Sequence, residues 1–219
     1  LQSMSLRKTF TDAELERIKA AVRQAEATIS GEIVPVMVSK SGYYTIANYK
    51  GSLWVGFMVF AFIVVCDRFI PSLAVYDPLL IFLLVLLAGV VGGVAPNFSD
   101  DLRRMLVTQR HMDHATRQRA ENAFLEQEVF NTRHRTGIMI FISFFEHEVI
   151  IMGDQGISKV VEQKVWDRLV QDLTAQIRKG KTVEGLETTI KRCGEILLEK
   201  GFKKTADDVN ELRDDVRLD

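Results

Sequence analysis

Two long apolar runs, 52–66 and 79–95, stand apart from the rest of the chain because no charge interrupts either of them. A polar link holding Asp67, Arg68 and Asp77 separates them, and Pro78 opens the second. At about 1.5 Å per residue each covers roughly 23 to 26 Å, and the first lengthens through Phe69 and Ile70 if Asp67 and Arg68 reach toward an interface. A helix buried in a water-soluble core normally shows a polar residue every few positions, and neither run does. The pattern predicts a transmembrane hairpin over 51–95, with spans of about 51–70 and 78–95.

The flanking sequence has ordinary amphipathic periods. Thr11 and Glu14 have capping-box spacing, and Leu15, Ile18, Val22, Ala25 and Ile29 then recur at intervals of three and four, predicting a first helix that stops at Ser30 and Gly31. Residues 32–39 read as a short strand, with Pro35 placing it at a sheet edge or an irregularity. After the hairpin, Ser99, Asp100 and Asp101 suit a helix start, and the polar stretch to Asn131 is helix-forming with one break in 108–113. Residues 137–145 are almost continuously apolar, as in a central strand covered on both faces. Glu146 and His147 turn the chain into a second short strand, 148–152. A helix beginning near Ser158 then carries Trp166, Leu169, Val170, Leu173 and Ile177, and another carries Val183, Leu186, Ile190, Cys193 and Leu197, with Gly180 and Gly201 at their ends.

This order predicts an α/β fold, a small three-layer α/β/α domain with a mixed sheet, interrupted by the hairpin. The domain is discontinuous, 5–46 with 97–204, and an acidic tail follows over 205–219. A right-handed crossover makes the first strand parallel to the central one.

Charge adds orientation. Lys40 and Lys50 precede the hairpin and Arg103, Arg104 and Arg110 follow it, whereas the link offers only Arg68. The positive-inside tendency therefore puts both arms, and both termini, in the cytoplasm, with the lipid bilayer as the first partner. Residues 1–30 show a charged amphipathic pattern in place of a signal peptide. A net charge of −1 argues against nucleic acid as a partner, and Cys66 and Cys193 sit in contexts that do not suit a disulfide.

The predicted topology brings three segments to one edge of the sheet: Gly31-Glu32, Arg135-Thr136-Gly137 and Gly153-Asp154. Backbone N–H groups, a nearby helix start and Arg135 would favour an anion, making Arg135, Thr136, Gly137, Gly153 and Gly156 the candidate anion-binding set. Asp154 and Glu32 are the candidate catalytic groups, as acid/base carboxylates or as ligands for Mg²⁺ or Ca²⁺. The plainer account makes Ser30-Gly31 a helix stop, Asp154-Gln155-Gly156 a turn and cap, and Arg135 the partner of a neighbouring acid.

These same residues carry a resemblance. Residues 28–33 (Thr-Ile-Ser-Gly-Glu-Ile), 135–140 (Arg-Thr-Gly-Ile-Met-Ile) and 153–157 (Gly-Asp-Gln-Gly-Ile), with Trp166 after them and Asn210-Glu211-Leu212 in the tail, resemble the TPM domain family. The resemblance implies a compact α/β/α domain, bacterial members with a membrane hairpin, hence a bacterial inner-membrane location, and acid-phosphatase activity suggested for plant relatives. Glu32, Thr136, Gly137, Asp154 and Gly156 fall on its signature positions, while Arg213 stands where the family's tail has proline.

Two functional expectations follow. The first is a non-enzymatic binding or assembly module held at the cytoplasmic face, with a membrane protein as partner. The alternative is a metal-assisted phosphomonoester hydrolase using Asp154, Glu32 and Arg135, although the chain has no Walker-type loop and no evident nucleophile–base pair.

Overall fold

The computed structural model describes Leu6, residues 9–204 and residues 211–218. Its chain divides into two compact units, one made of 1–41 with 113–219 and the other of 42–112.

The first unit opens with α1 (Asp12–Glu26), whose start is the expected capping box: the Glu14 N–H donates to the Thr11 hydroxyl, and the Thr11 N–H donates back to the Glu14 carboxylate at 2.8 Å. Four strands form the sheet: β1 (Glu32–Val38), β2 (Gly137–Ser143), β3 (Glu148–Gly153) and β4 (Arg217–Leu218), in spatial order β3-β2-β1-β4. β1 runs parallel to β2 and β4, and β2 runs antiparallel to β3. The helices are α5 (Gln109–Glu126), most of it in this unit, then the single turn α6 (Gln155–Ser158), α7 (Gln163–Arg178) and α8 (Thr182–Glu199).

Every residue of β1 and β2 is buried, because both faces of the sheet are covered. Val34, Val36, Val38, Met139 and Phe141 pack with Ala120 and Ala123 of α5 on one side. On the other, Ile33, Met37, Ile138, Ile140 and Ile142 meet Ile18 and Val22 of α1, Leu173 of α7 and Leu186 and Ile190 of α8. The alternation of the strands thus sorts two apolar sets into two cores, which is why 137–145 reads as continuously apolar.

Two expectations need correction. The helix placed near Ser158 begins at Gln163, because Asp154 first caps the separate turn α6. The tail is not merely acidic: its last described residues form β4 on the outer side of β1, opposite Val36 and Met37. A two-residue strand has no period to read. Pro35 also finds its explanation here. The Glu32 N–H points toward β2, donating to the Thr136 carbonyl, so Ile33, Pro35 and Met37 direct their backbone outward. The Ile33 N–H is met by the Glu26 carboxylate at 2.8 Å, Met37 lies against β4, and Pro35 has no N–H to leave unpaired.

The second unit is a pair of helices and a short third one. α2 (Thr45–Phe69) and α3 (Pro78–Val94) are joined by a link that ends in Asp77, whose carboxylate accepts the Leu79 and Leu80 N–H groups and so starts α3. α4 (Asp100–Leu106) follows a short 3₁₀ turn at Ala95–Asn97. Thr45–Phe69 and Pro78–Asn97 are long and apolar enough to cross a membrane, with mean hydropathy of 1.8 and 2.7, and only 17% and 11% of those windows are buried. Glycine sets how closely the helices approach. A Cβ on Gly51 would lie 2.3 Å from the Gly92 carbonyl oxygen, and one on Gly92 would lie 2.4 Å from that of Gly51, so the two backbones touch there.

Candidate functional site

The parallel register sets Glu32 opposite Gly137, and the antiparallel one sets Ile138 opposite Gly153, so the three predicted segments do meet at one edge of the sheet. Backbone bonds knit them together. The Glu32 N–H donates to the Thr136 carbonyl at 3.3 Å, the Asp154 N–H to that of Gly137 at 2.8 Å, and the Gly156 N–H to that of Arg135 at 2.9 Å. The Thr136 N–H donates to the Thr132 hydroxyl at 2.9 Å.

The glycines are small here for a packing reason. A Cβ on Gly137 would sit 2.0 Å from the Val129 carbonyl oxygen, and one on Gly156 would sit 2.6 Å from the Arg135 oxygen and 2.7 Å from that of His134. Gly153 would place its Cβ 3.1 Å from the Ile157 side chain, a tight contact within the same corner. Their backbones approach other backbone, which is a different use from cradling an anion.

Asp154 is buried: one carboxylate oxygen accepts the Gln155 N–H at 2.7 Å, and the other accepts no hydrogen bond but lies 2.8 Å from the Arg135 Nε as an ion pair. Arg135 takes up a left-handed backbone conformation, φ 57°, and its guanidinium also sits 5.7 Å from the Phe130 ring centre. The predicted anion donor therefore has an anion within the protein.

Glu32 has a different partner set. Its carboxylate accepts the Glu211 N–H at 3.0 Å and also a backbone bond from Leu212, while the Glu211 carboxylate accepts the Arg133 N–H at 2.8 Å. Asp214 pairs with Arg23 and Asp215 with Lys19. Glu32 thus fastens the C-terminal segment to the sheet edge, a role suggested by no local pattern because the partners lie far apart in sequence. Asn210, the first residue of the tail motif, lies outside the described residues. Burial holds the Glu32 carboxyl above the usual carboxylate range, opposed by the two backbone N–H groups.

Glu26 is the residue that sequence reasoning missed. It is buried at the end of α1, one oxygen accepting the Ile33 N–H at 2.8 Å and the other without a hydrogen bond. Burial pushes its carboxyl up to about 8, helped by the nearby charges of Glu32 and Asp214 and opposed by the Ile33 N–H and by Lys204. A signal was present: Ile18, Val22 and Glu26 recur every four residues, so the acid falls on the apolar stripe of α1.

The sign of its effect follows directly. A carboxyl raised from 4.5 to about 8 favours the folded chain when neutral, so its contribution is fully present below the unfolded value and is lost as the pH rises through about 8. Denaturant unfolding between pH 6 and 9 should show stability falling with pH, at up to about 1.4 kcal/mol per unit. Glu26→Gln should flatten that slope while keeping the bond to Ile33. An unchanged slope in the variant would exclude Glu26 as its source.

Among the described residues, no group of three or more His, Cys, Asp or Glu side chains is arranged to hold a metal ion. Glu32 and Asp154 are committed to backbone N–H groups and to Arg135, so the corner offers a folded junction more readily than an open metal site.

Residues 99–196 match the model of the TPM domain. That stretch is similar to the TPM domain. The matched stretch takes in α4, α5, β2, β3, α6 and α7 and most of α8, whereas α1, β1 and the C-terminal segment complete the same unit from outside it. The chain is also similar in fold to the NMR structure of BA42 protein from the psychrophilic bacterium Bizionia argentinensis, with a TM-score of 0.58 and 20% identity over 95% of this chain and 94% of that one. No curated protein matches it.

Proposed function

We propose that this chain is a membrane-anchored TPM-domain protein in which α2 and α3 span the bilayer and the α/β unit serves as a binding or assembly module at the cytoplasmic face of a bacterial inner membrane. The observation that carries the reading is the exposure of large apolar side chains. Among the described residues, all such side chains except Leu125, Val160 and Leu198 lie in 42–112. A water-soluble protein rarely exposes so continuous an apolar surface, whereas a lipid-facing helix pair requires one. Lys50, Arg103, Arg104 and Arg110 flank the pair on its terminal side, against Arg68 in the link, which favours cytoplasmic arms.

The anchor should resist extraction from membranes by alkaline carbonate, and a reporter inserted between Ser72 and Tyr76 should be active only outside the cytoplasm. A cytoplasmic signal there would overturn the orientation, and release by carbonate would overturn the anchor.

A second reading, phosphomonoester hydrolysis with Asp154 and Glu32, draws support from the raised carboxyls of Glu32 and Glu26, since perturbed acids gather at functional sites. The commitments of Asp154 and Glu32 favour the binding module instead. The full chain in mild detergent should show no phosphatase turnover with or without Mg²⁺ or Ca²⁺. Turnover that Asp154→Asn abolishes would reverse the order of the two readings.

A further inference from the structure

α4 exposes large apolar side chains beside its acidic first turn, Asp100 and Asp101. In an ordinary surface helix the charged side chains face water and the apolar ones pack inward. Here the Arg103 side chain is only 18% exposed, its guanidinium donating to the Asn97 side chain at 3.0 Å, while Met105 is 84% exposed. Leu102, three residues before Met105 and therefore on the same helical face, is also exposed, and Phe98, just before the Ser99 cap, is 85% exposed. Two polar ties fix this arrangement at the end of the helix pair: the Arg103 bond to Asn97, and the Lys50 ammonium donating to the Leu106 carbonyl at 3.0 Å. The Asn48 side chain also bonds that of Asn97, so the start of α2 and the approach to α4 are joined.

We propose that α4 and Phe98 form an interfacial foot, with Phe98, Leu102 and Met105 inserted at the boundary between headgroups and acyl chains of the leaflet from which the helix pair rises. The inference rests on the spanning reading of α2 and α3. Three arguments select lipid as the occupant. The apolar face continues directly from α3 through the Ala95–Asn97 turn in the same compact unit. Tyr43 and Tyr49, both exposed at the start of α2, supply the amphipathic rings that favour the interface. At this end of the unit, away from the link with Asp67, Arg68 and Asp77, Lys50, Arg103, Arg104 and Arg110 outnumber Asp100 and Asp101, a net positive charge that complements anionic headgroups.

The test uses the full chain with Cys66→Ala and Cys193→Ala, carrying one of Phe98→Cys, Met105→Cys, Asp100→Cys or Leu86→Cys labelled with an environment-sensitive fluorophore; Asp100, 77% exposed, lies on the other side of α4 from Met105. Each is reconstituted into vesicles of phosphatidylcholine and phosphatidylglycerol containing lipids spin-labelled near the headgroup. Labels at 98 and 105 should emit at shorter wavelength and be quenched severalfold more than the label at 100. Replacing phosphatidylglycerol by phosphatidylcholine should reduce the quenching at 105. Equal quenching at 105 and 100, with the label at 86 shielded from water, would overturn the foot and leave the spanning pair intact. A label at 86 that is open to water would overturn both.

Discussion

Gly137→Ala is expected to destabilise the α/β unit by about 3 kcal/mol, among the larger effects of a single methyl group. The added Cβ would meet the Val129 carbonyl oxygen at 2.0 Å and its carbon at 3.1 Å, and backbone atoms cannot swing aside as a flexible side chain can. Relief requires the 127–136 segment to move off the sheet. That segment carries Arg135, Thr136 and the Arg133 N–H that holds Glu211, so the displacement would loosen the Asp154 ion pair and the C-terminal segment together. Denaturant unfolding of the purified full chain, followed by a probe in the α/β unit, measures the loss. A change below about 1 kcal/mol would show that the contact is relieved cheaply and would reopen the anion-binding explanation of this glycine.

The second large effect concerns the helix pair. A Cβ on Gly93 would lie 3.4 Å from that of Ser52, close to the spacing of a disulfide. Ser52→Cys with Gly93→Cys, in a chain lacking Cys66 and Cys193, should therefore cross-link almost completely under mild oxidation. Gly92→Leu added to that pair should abolish most of the cross-linking, because its Cβ alone would meet the Gly51 oxygen at 2.4 Å and the Val55 Cβ at 2.6 Å. The read-out is the mobility of the intact chain against a copy cut in the link between the helices, which stays joined only when the bridge has formed. Undiminished cross-linking in the triple variant would mean that α2 and α3 tolerate several ångströms of separation at this point.

Much of the fold was legible because it rests on local periods. The α1 stripe, the capping box at Thr11, the break near Thr108 and the buried strand 137–145 each come from neighbours a few residues apart, and the observed elements follow them closely. The meeting of Glu32, Gly137 and Asp154 was also legible, since strand direction follows from connection length and handedness. What escaped depends on partners distant in sequence. Neither the tie from Glu32 to Glu211 nor the pairing of β4 with β1 leaves a periodic trace. At the corner the plainer account, a cap at Asp154 and an acid beside Arg135, is the one that the geometry matches; which acid pairs with Arg135 was not legible, and it is Asp154, 2.8 Å from the Arg135 Nε. Glu26 escaped although its spacing placed it in the core.

The pairing of Glu32 with Gly137 has a bearing on how the chain is made. A ribosome adding roughly 5 to 20 residues per second needs on the order of 5 to 20 s to pass from β1 to β2. During that interval β1, apolar on both faces, has emerged without its principal neighbour while the apolar runs of α2 and α3 are being synthesised. Pro35, unable to donate, limits what a stray strand could gain by adding to the outer side of β1 in the meantime. The edge that faces β2 has no such guard, so until β2 is made its backbone groups stay open to any strand that reaches them.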